Sequence, residues 1–159
     1  MWTAALAAIF IGILGATITD IGPWYQGLRK PDWQPPDWLF GPVWTLIFAL
    51  AGVAGYKAWL RAPTQSDREW IIILFAANGF LNVLWSLLFF AWKRPDWALI
   101  ETGFLWASVI VLIFVLKRYT TTASWLLVPY AAWISFASIL NWKIVQLNPN
   151  KIALATPPI

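Results

Sequence analysis

The chain has 159 residues, of which 60% are hydrophobic and only 11% charged, with a net charge of +4. A soluble domain carries roughly a quarter charged residues, so an ordinary soluble globule is excluded and a one-domain integral membrane protein is predicted over 1–159. The modest, scattered charge makes no nucleic-acid patch. Without Cys there is no disulfide, thiolate nucleophile or Cys metal site, and without His the commonest general base and the usual axial ligand of haem iron are missing.

The predicted fold class is an all-α membrane bundle of five transmembrane helices, with a long first loop capping an interhelical pocket. The first span is read over about 2–18. Ala4, Ala8, Gly12 and Ala16 recur on one face there and allow close helix approach. No basic segment precedes it, so a cleavable signal peptide is not expected. The loop, about 20–39, is the one long polar segment. It joins the aromatics Trp24, Tyr25 and Trp33 to the adjacent cations Arg29 and Lys30. Pro31, Pro35 and Pro36 stiffen it, which lowers the entropy cost of ordering it. It reads either as a cover over a cavity or as an interfacial segment with its aromatics at headgroup level.

The second span is expected over about 40–60, with Pro42 near its start and Trp44 too deep for a purely interfacial residue. Gly52 and Gly55 again permit close packing. The third covers about 69–92. Asn78, Asn82 and Trp85 share one helical face, and two amides at membrane depth should face the bundle interior. They either bond between helices or orient a ligand, with Trp85 as a wall. The fourth, about 96–116, carries Glu101 a turn and a half inside, flanked by Trp97 and Trp106. A carboxylate there is costly, so it is expected to face inward, be protonated, or pair with Lys93 or Arg94. The fifth, about 123–147, places Tyr130, Trp133, Ala137 and Asn141 on one face, with small Ala137 leaving space between bulky neighbours. The tail from Asn148 is expected to fray.

Five spans put the first loop, the Lys93–Arg94 turn and the tail at one end. Six cations there oppose five at the other end, too even a split for the positive-inside rule to orient the chain. Hydrolytic or redox catalysis of the usual kind finds no nucleophile–base pair, phosphate loop or metal cluster. A channel would need more ionisable groups than Glu101 alone. A ligand cavity fits better, walled by Trp44, Trp85, Trp97 and Trp133, with Asn82 as polar handle. Arg29 and Lys30 at its mouth would suit carboxylates on a large flat ligand, as on a metal-free porphyrin.

The loop pattern Trp24-Tyr25-x-x-Leu28-x-Lys30-Pro31-x-Trp33-x-Pro35-Pro36 resembles the first-loop motif of the TspO/MBR family. Asn82-Val83-Leu84-Trp85, Trp97-Ala98-Leu99 and Pro129-Tyr130-Ala131-Ala132-Trp133 extend the likeness. The resemblance implies a five-helix bundle, commonly a homodimer, in the lipid bilayer. It implies a pocket under the first loop for a porphyrin such as protoporphyrin IX, and also for sterol or drug-like ligands. By motif match its pocket tryptophans are Trp44 and Trp133, with Ala137 the small residue near the ligand; together with the residue reading, the expected ligand contacts are Trp24, Tyr25, Trp33, Pro36, Trp44, Asn82, Trp85, Trp97, Trp133 and Ala137, with no cofactor or metal. The function implied is tetrapyrrole sensing, transport or disposal. The alternatives are sterol or lipid transport, and light-dependent porphyrin degradation using Trp44 and Trp133. The late Leu140-Asn141-Trp142-Lys143 departs from the vertebrate cholesterol pattern, since Trp142 stands for its tyrosine. That marks a bacterial-type member, in the cell membrane rather than the mitochondrial outer membrane.

Overall fold

The computed structural model describes residues 19–150. The expected first span (2–18) and the tail beyond 150 lie outside them, but Asn148, where fraying was expected to begin, is buried and hydrogen-bonded to Arg29 and Ile144. Among the described residues the architecture is wholly helical: α1 (Pro23–Gln26), α2 (Asp37–Arg61), α3 (Gln65–Ser86), α4 (Pro95–Lys117), α5 (Thr121–Leu126) and α6 (Val128–Leu147). A π-helical turn, Leu87–Ala91, continues α3. Four spans are long and apolar enough to cross a membrane: Asp37–Arg61, Gln65–Ala91, Pro95–Lys117 and Thr121–Leu147. At 1.5 Å per residue, α4 alone is roughly 34 Å long, about the thickness of the hydrocarbon layer.

The side chains are distributed as lipid demands. Small and medium residues fill the interior, with Ala54, Ala58, Val109, Leu112 and Leu116 fully buried. Large apolar ones such as Leu46, Ile100, Phe104 and Phe114 point outward. Lipid does not penalise exposed Phe or Leu, so the inner faces are free to take the residues that bring backbones together. Gly55 is one such place, because a Cβ there would meet the Phe75 ring at 3.1 Å. Gly52, by contrast, faces open space. Exposed tryptophans form two girdles, Trp38, Trp92, Trp97 and Trp142 at the loop end and Trp70 and Trp125 at the other.

Three helix features differ from the sequence reading. The α2 helix starts at Asp37, directly after Pro35-Pro36, so Pro42 lies inside it and removes one backbone donor from the second turn. The third span ends in the π turn, where Trp92 N–H bonds the Leu87 carbonyl at 2.8 Å and Arg94 N–H reaches Leu88 at 2.9 Å. The fifth span is broken at Leu127, because Pro129 has no N–H and its ring excludes the carbonyl four residues back. The α3 start carries a reciprocal cap, with Asp67 N–H bonded to Thr64 Oγ1 (3.1 Å) and Thr64 N–H to Asp67 Oδ2 (3.2 Å). Tyr119 Oη donates to the same carboxylate at 2.9 Å and ties the two turns at that end together.

At the opposite end the first loop docks on the close of α6. Arg29 N–H donates to Asn148 Oδ1, while Asn148 Nδ2 donates to the Arg29 and Ile144 carbonyls, all at 2.8 Å. Tyr25 and Leu28 are buried with Leu88, Phe89, Ala98, Leu140 and Ile144. Loop, α3–α4 turn and the end of α6 therefore share one end of the bundle.

Candidate ligand cavity

A cavity of about 450 Å3 opens between the helices at the loop end, within the range of small-molecule sites. From α2 it takes Phe40, Trp44, Thr45 and Phe48, and from α3 Asn82, Trp85 and Ser86. The π turn adds Phe89 and Phe90, α4 adds Thr102 and Leu105, and α6 adds Trp133, Ile134, Ala137, Leu140 and Asn141. Ile21, Tyr25, Gln34 and Asp37 line it on the loop side.

The aromatic walls are built by local helix geometry. Phe40, Trp44 and Phe48 stand four residues apart, so they stack along one face of α2, with the Trp44 and Phe48 rings 5.3 Å apart and 28° from parallel. Trp85 and Phe89 do the same on the facing helix, at 5.1 Å and 22°. The wider π turn lets the consecutive residues Phe89 and Phe90 both reach the cavity, their centroids 4.8 Å apart. Trp133 meets Phe40 edge-on at 5.5 Å.

The deep polar groups are largely spent on one another. Tyr130 Oη donates to Asn78 Oδ1 at 3.1 Å and accepts from Asn82 Nδ2 at 3.3 Å. Asn78 Nδ2 continues to Ser108 Oγ at 2.8 Å. The two amides of α3 thus form the interhelical network that was one of their two expected uses, and Asn82 also borders the cavity. Thr45, Ser86 and Thr102 hydroxyls each donate to the carbonyl four residues back. The Asn141 amide, nitrogen toward the Pro95 carbonyl and oxygen toward Leu99 N–H, lies 3.1 Å from each.

The mouth is more polar. Tyr25 Oη donates to Asp37 Oδ1 at 2.9 Å, and Gln34 Nε2 donates to that oxygen (3.0 Å) and to Tyr25 Oη (3.3 Å). The Lys30 ammonium sits 3.6 Å from the Tyr25 ring centroid and 3.5 Å from Asp37 Oδ2. Burial, then the hydrogen bond and charge of Asp37, push the Tyr25 phenol well above its ordinary range.

Of the residues singled out from sequence, Tyr25, Trp44, Asn82, Trp85, Trp133 and Ala137 line the cavity. The others stand outside its lining, each for a visible reason. Trp24 packs edge-on behind Phe89 at 6.0 Å, and Trp33 leans on Phe136 at 5.9 Å with about half its surface exposed. Pro36 is the residue preceding α2. Trp97 points away because its neighbour Ala98 takes the inward position, and it lies 5.5 Å from the Arg94 guanidinium instead. Arg29 is held through its backbone, and Lys30 is engaged by Asp37 rather than free for an anion. Glu101 is buried, and neither of its oxygens has a hydrogen-bond partner among the described residues. Of the alternatives for Glu101 the inward-facing one is seen, whereas pairing with Arg94 is not made, since that guanidinium forks onto Asp96 at 2.9 and 2.6 Å.

Phe89, Phe90, Gln34 and Asp37 were not foreseen as site residues. The four-residue spacing of Phe40, Trp44 and Phe48 was a readable signal for the α2 wall. No group of three or more His, Cys, Asp or Glu able to hold a metal occurs among the described residues.

Apolar spanning helices around an aromatic cavity define a polytopic α-helical membrane protein with an interhelical small-molecule site. The TspO/MBR family profile matches residues 3–147. The chain is 40% identical over 141 residues to the tryptophan-rich protein TspO of Chlorobaculum tepidum, covering 87% of this chain and 89% of that protein. It is 40% identical over 145 residues to TspO of Archaeoglobus fulgidus (90% and 93% covered) and 33% identical over 160 residues to the translocator protein of Sus scrofa (94% and 93%). The chain belongs to the TspO/MBR family, as a multi-pass membrane protein of the bacterial type.

Proposed function

We propose that this protein binds a planar tetrapyrrole of the porphyrin class in the interhelical cavity, for sensing, transport or disposal of that ligand, with the first loop as cover. The observation that carries the reading is the wall of aromatic rings. Trp44–Phe48 on one side and Trp85–Phe89 on the other present near-parallel stacked pairs, and flat conjugated ligands gain most from such surfaces. Because Asn82, Ser86, Thr102 and Asn141 are already bonded within the protein, the deep cavity favours an apolar ring system over a polar one. Tyr25 and Gln34 bring the loop into contact with the same space.

Titration of detergent-solubilised protein with protoporphyrin IX, followed by tryptophan quenching in the dark, tests this. Saturable quenching that weakens in Trp133→Phe is expected. Absence of saturable quenching removes the tetrapyrrole reading and leaves sterol or lipid handling in its place. Repeating the titration under light, with new absorption bands that vanish in Trp133→Phe, would identify a degrading activity in the same cavity.

A further inference from the structure

Asp37 is the one formally charged side chain lining the cavity among the described residues. It lies in the first turn of α2, with its side chain about one-third exposed. Its two oxygens are unequally used. Oδ1 accepts from both Tyr25 Oη and Gln34 Nε2. Among the described residues Oδ2 has only the Lys30 ammonium, at 3.5 Å, well beyond the 2.7–2.9 Å of a full charge-assisted bond. The donors beside it are spent: the Tyr25 hydroxyl on Asp37, and the Gln34 amide on Asp37 and Tyr25. An arriving carboxylate would therefore meet a carboxylate, with the Tyr25 hydroxyl and the Gln34 amide already engaged. An arriving ammonium would meet an under-used oxygen beside an aromatic face.

Lys30 shows what this corner holds. Its ammonium is already clamped between the Tyr25 ring and Asp37, the aromatic-plus-carboxylate arrangement that suits a cation. Lys30 itself is outside the cavity lining, so a second cation can approach Asp37 from the cavity side.

We propose that the cavity mouth is a cation- and donor-selective subsite centred on Asp37, so that the protein takes flat aromatic ligands carrying an amine or N–H donor at the edge nearest the loop. This rests on the cavity being the ligand site and refines which ligands it accepts. Ligands with carboxylates bind with those groups turned away from Asp37. Lys30 acts as a tethered competitor for the subsite.

The test uses matched probes in neutral detergent: 1-pyrenemethylamine, 1-pyrenemethanol and 1-pyrenecarboxylic acid, and in parallel protoporphyrin IX with its dimethyl ester and an aminoethyl-amide derivative. The expected order in both series is amine, then neutral, then acid. Asp37→Asn keeps an acceptor for Tyr25 and Gln34 but should weaken amine binding by about tenfold relative to the neutral probe. Lys30→Met, which removes the ammonium from the Tyr25 ring but keeps an unbranched side chain, should tighten amine binding severalfold. The two variants move affinity in opposite directions, which general misfolding would not do. Equal affinities for amine and acid, an acid preference, or no binding by any probe overturns the proposal. Tetrapyrrole binding without the charge order leaves the tetrapyrrole reading standing while this one falls. The charge order in the pyrene series without tetrapyrrole binding does the reverse.

Discussion

Replacing Asn148 by alanine removes three hydrogen bonds in one step. Two of them pair the Asn148 amide with the backbone of Arg29, a residue 119 positions earlier, and the third ties the amide to the Ile144 carbonyl, all at 2.8 Å. Each such bond is worth about 1 kcal/mol net, and the Arg29 N–H and carbonyl are left without protein partners. Water reaches part of this site, which offsets some of the loss, so the loop should loosen by about 2–3 kcal/mol locally. At 1.4 kcal/mol per decade this is roughly a 30–140-fold rise in local opening. Amide hydrogen exchange of residues 28–30, measured in detergent or nanodiscs, reads it directly. The α4 amides should keep their protection, because Val109, Leu112 and Leu116 are buried far from the clasp. Asn148→Asp should be worse than alanine. It keeps an acceptor for Arg29 N–H but turns a carboxylate oxygen toward two carbonyls. Unchanged exchange at residues 28–30 in both variants would refute the clasp.

Three further outcomes follow from the same geometry. Tyr130→Phe strands Asn78 Oδ1 and Asn82 Nδ2 in the bundle, and should cost about 1–2 kcal/mol, seen as a lowered thermal midpoint; an unchanged midpoint would show that the network contributes nothing. Ala137→Thr puts extra atoms into the cavity wall and should weaken protoporphyrin IX binding roughly tenfold, since overpacking typically costs about 1–3 kcal/mol; unchanged affinity in the folded variant contradicts the site. The Tyr25 phenol is raised by burial and by Asp37, so the folded loop holds its proton where an unfolded tyrosine would lose it. The loop stability this supplies is complete below the ordinary tyrosine pKa of about 10 and is lost as pH climbs above it. Exchange of the loop amides should therefore accelerate above about pH 10 in wild type, beyond the intrinsic base dependence, and Tyr25→Phe should remove that excess.

The spans were legible because long apolar runs and their polar breaks need no periodicity to be seen. What lay inside each span was less so. A helix that is apolar on all sides carries no stripe to show which face turns inward, and Trp97 was placed in the wall although Ala98 beside it holds the inward position. Residues with a second reason to face inward were placed well: the amides Asn78 and Asn82, and Trp44, Trp133 and Ala137. Asp37 and Gln34 escaped notice because their role depends on how the proline-rich loop folds back on Tyr25, a tertiary fact with no local signature. Arg29 and Lys30 read as a free basic pair for the same reason. Their partners, Asn148 and Asp37, are fixed only once the chain is folded.

The π turn at Leu87–Ala91 is, in covalent terms, one surplus residue accommodated in a helix. Removing a single residue there would let the turn relax to ordinary α geometry and rotate everything after it. Asn78, Asn82 and Trp85 lie before the turn and would keep their phase, whereas Phe89 and Phe90 would swing off the wall. One part of that wall is thereby held constant while the other part is set by chain length. A one-codon insertion or deletion, with no change of residue type, is then enough to reshape what the cavity admits.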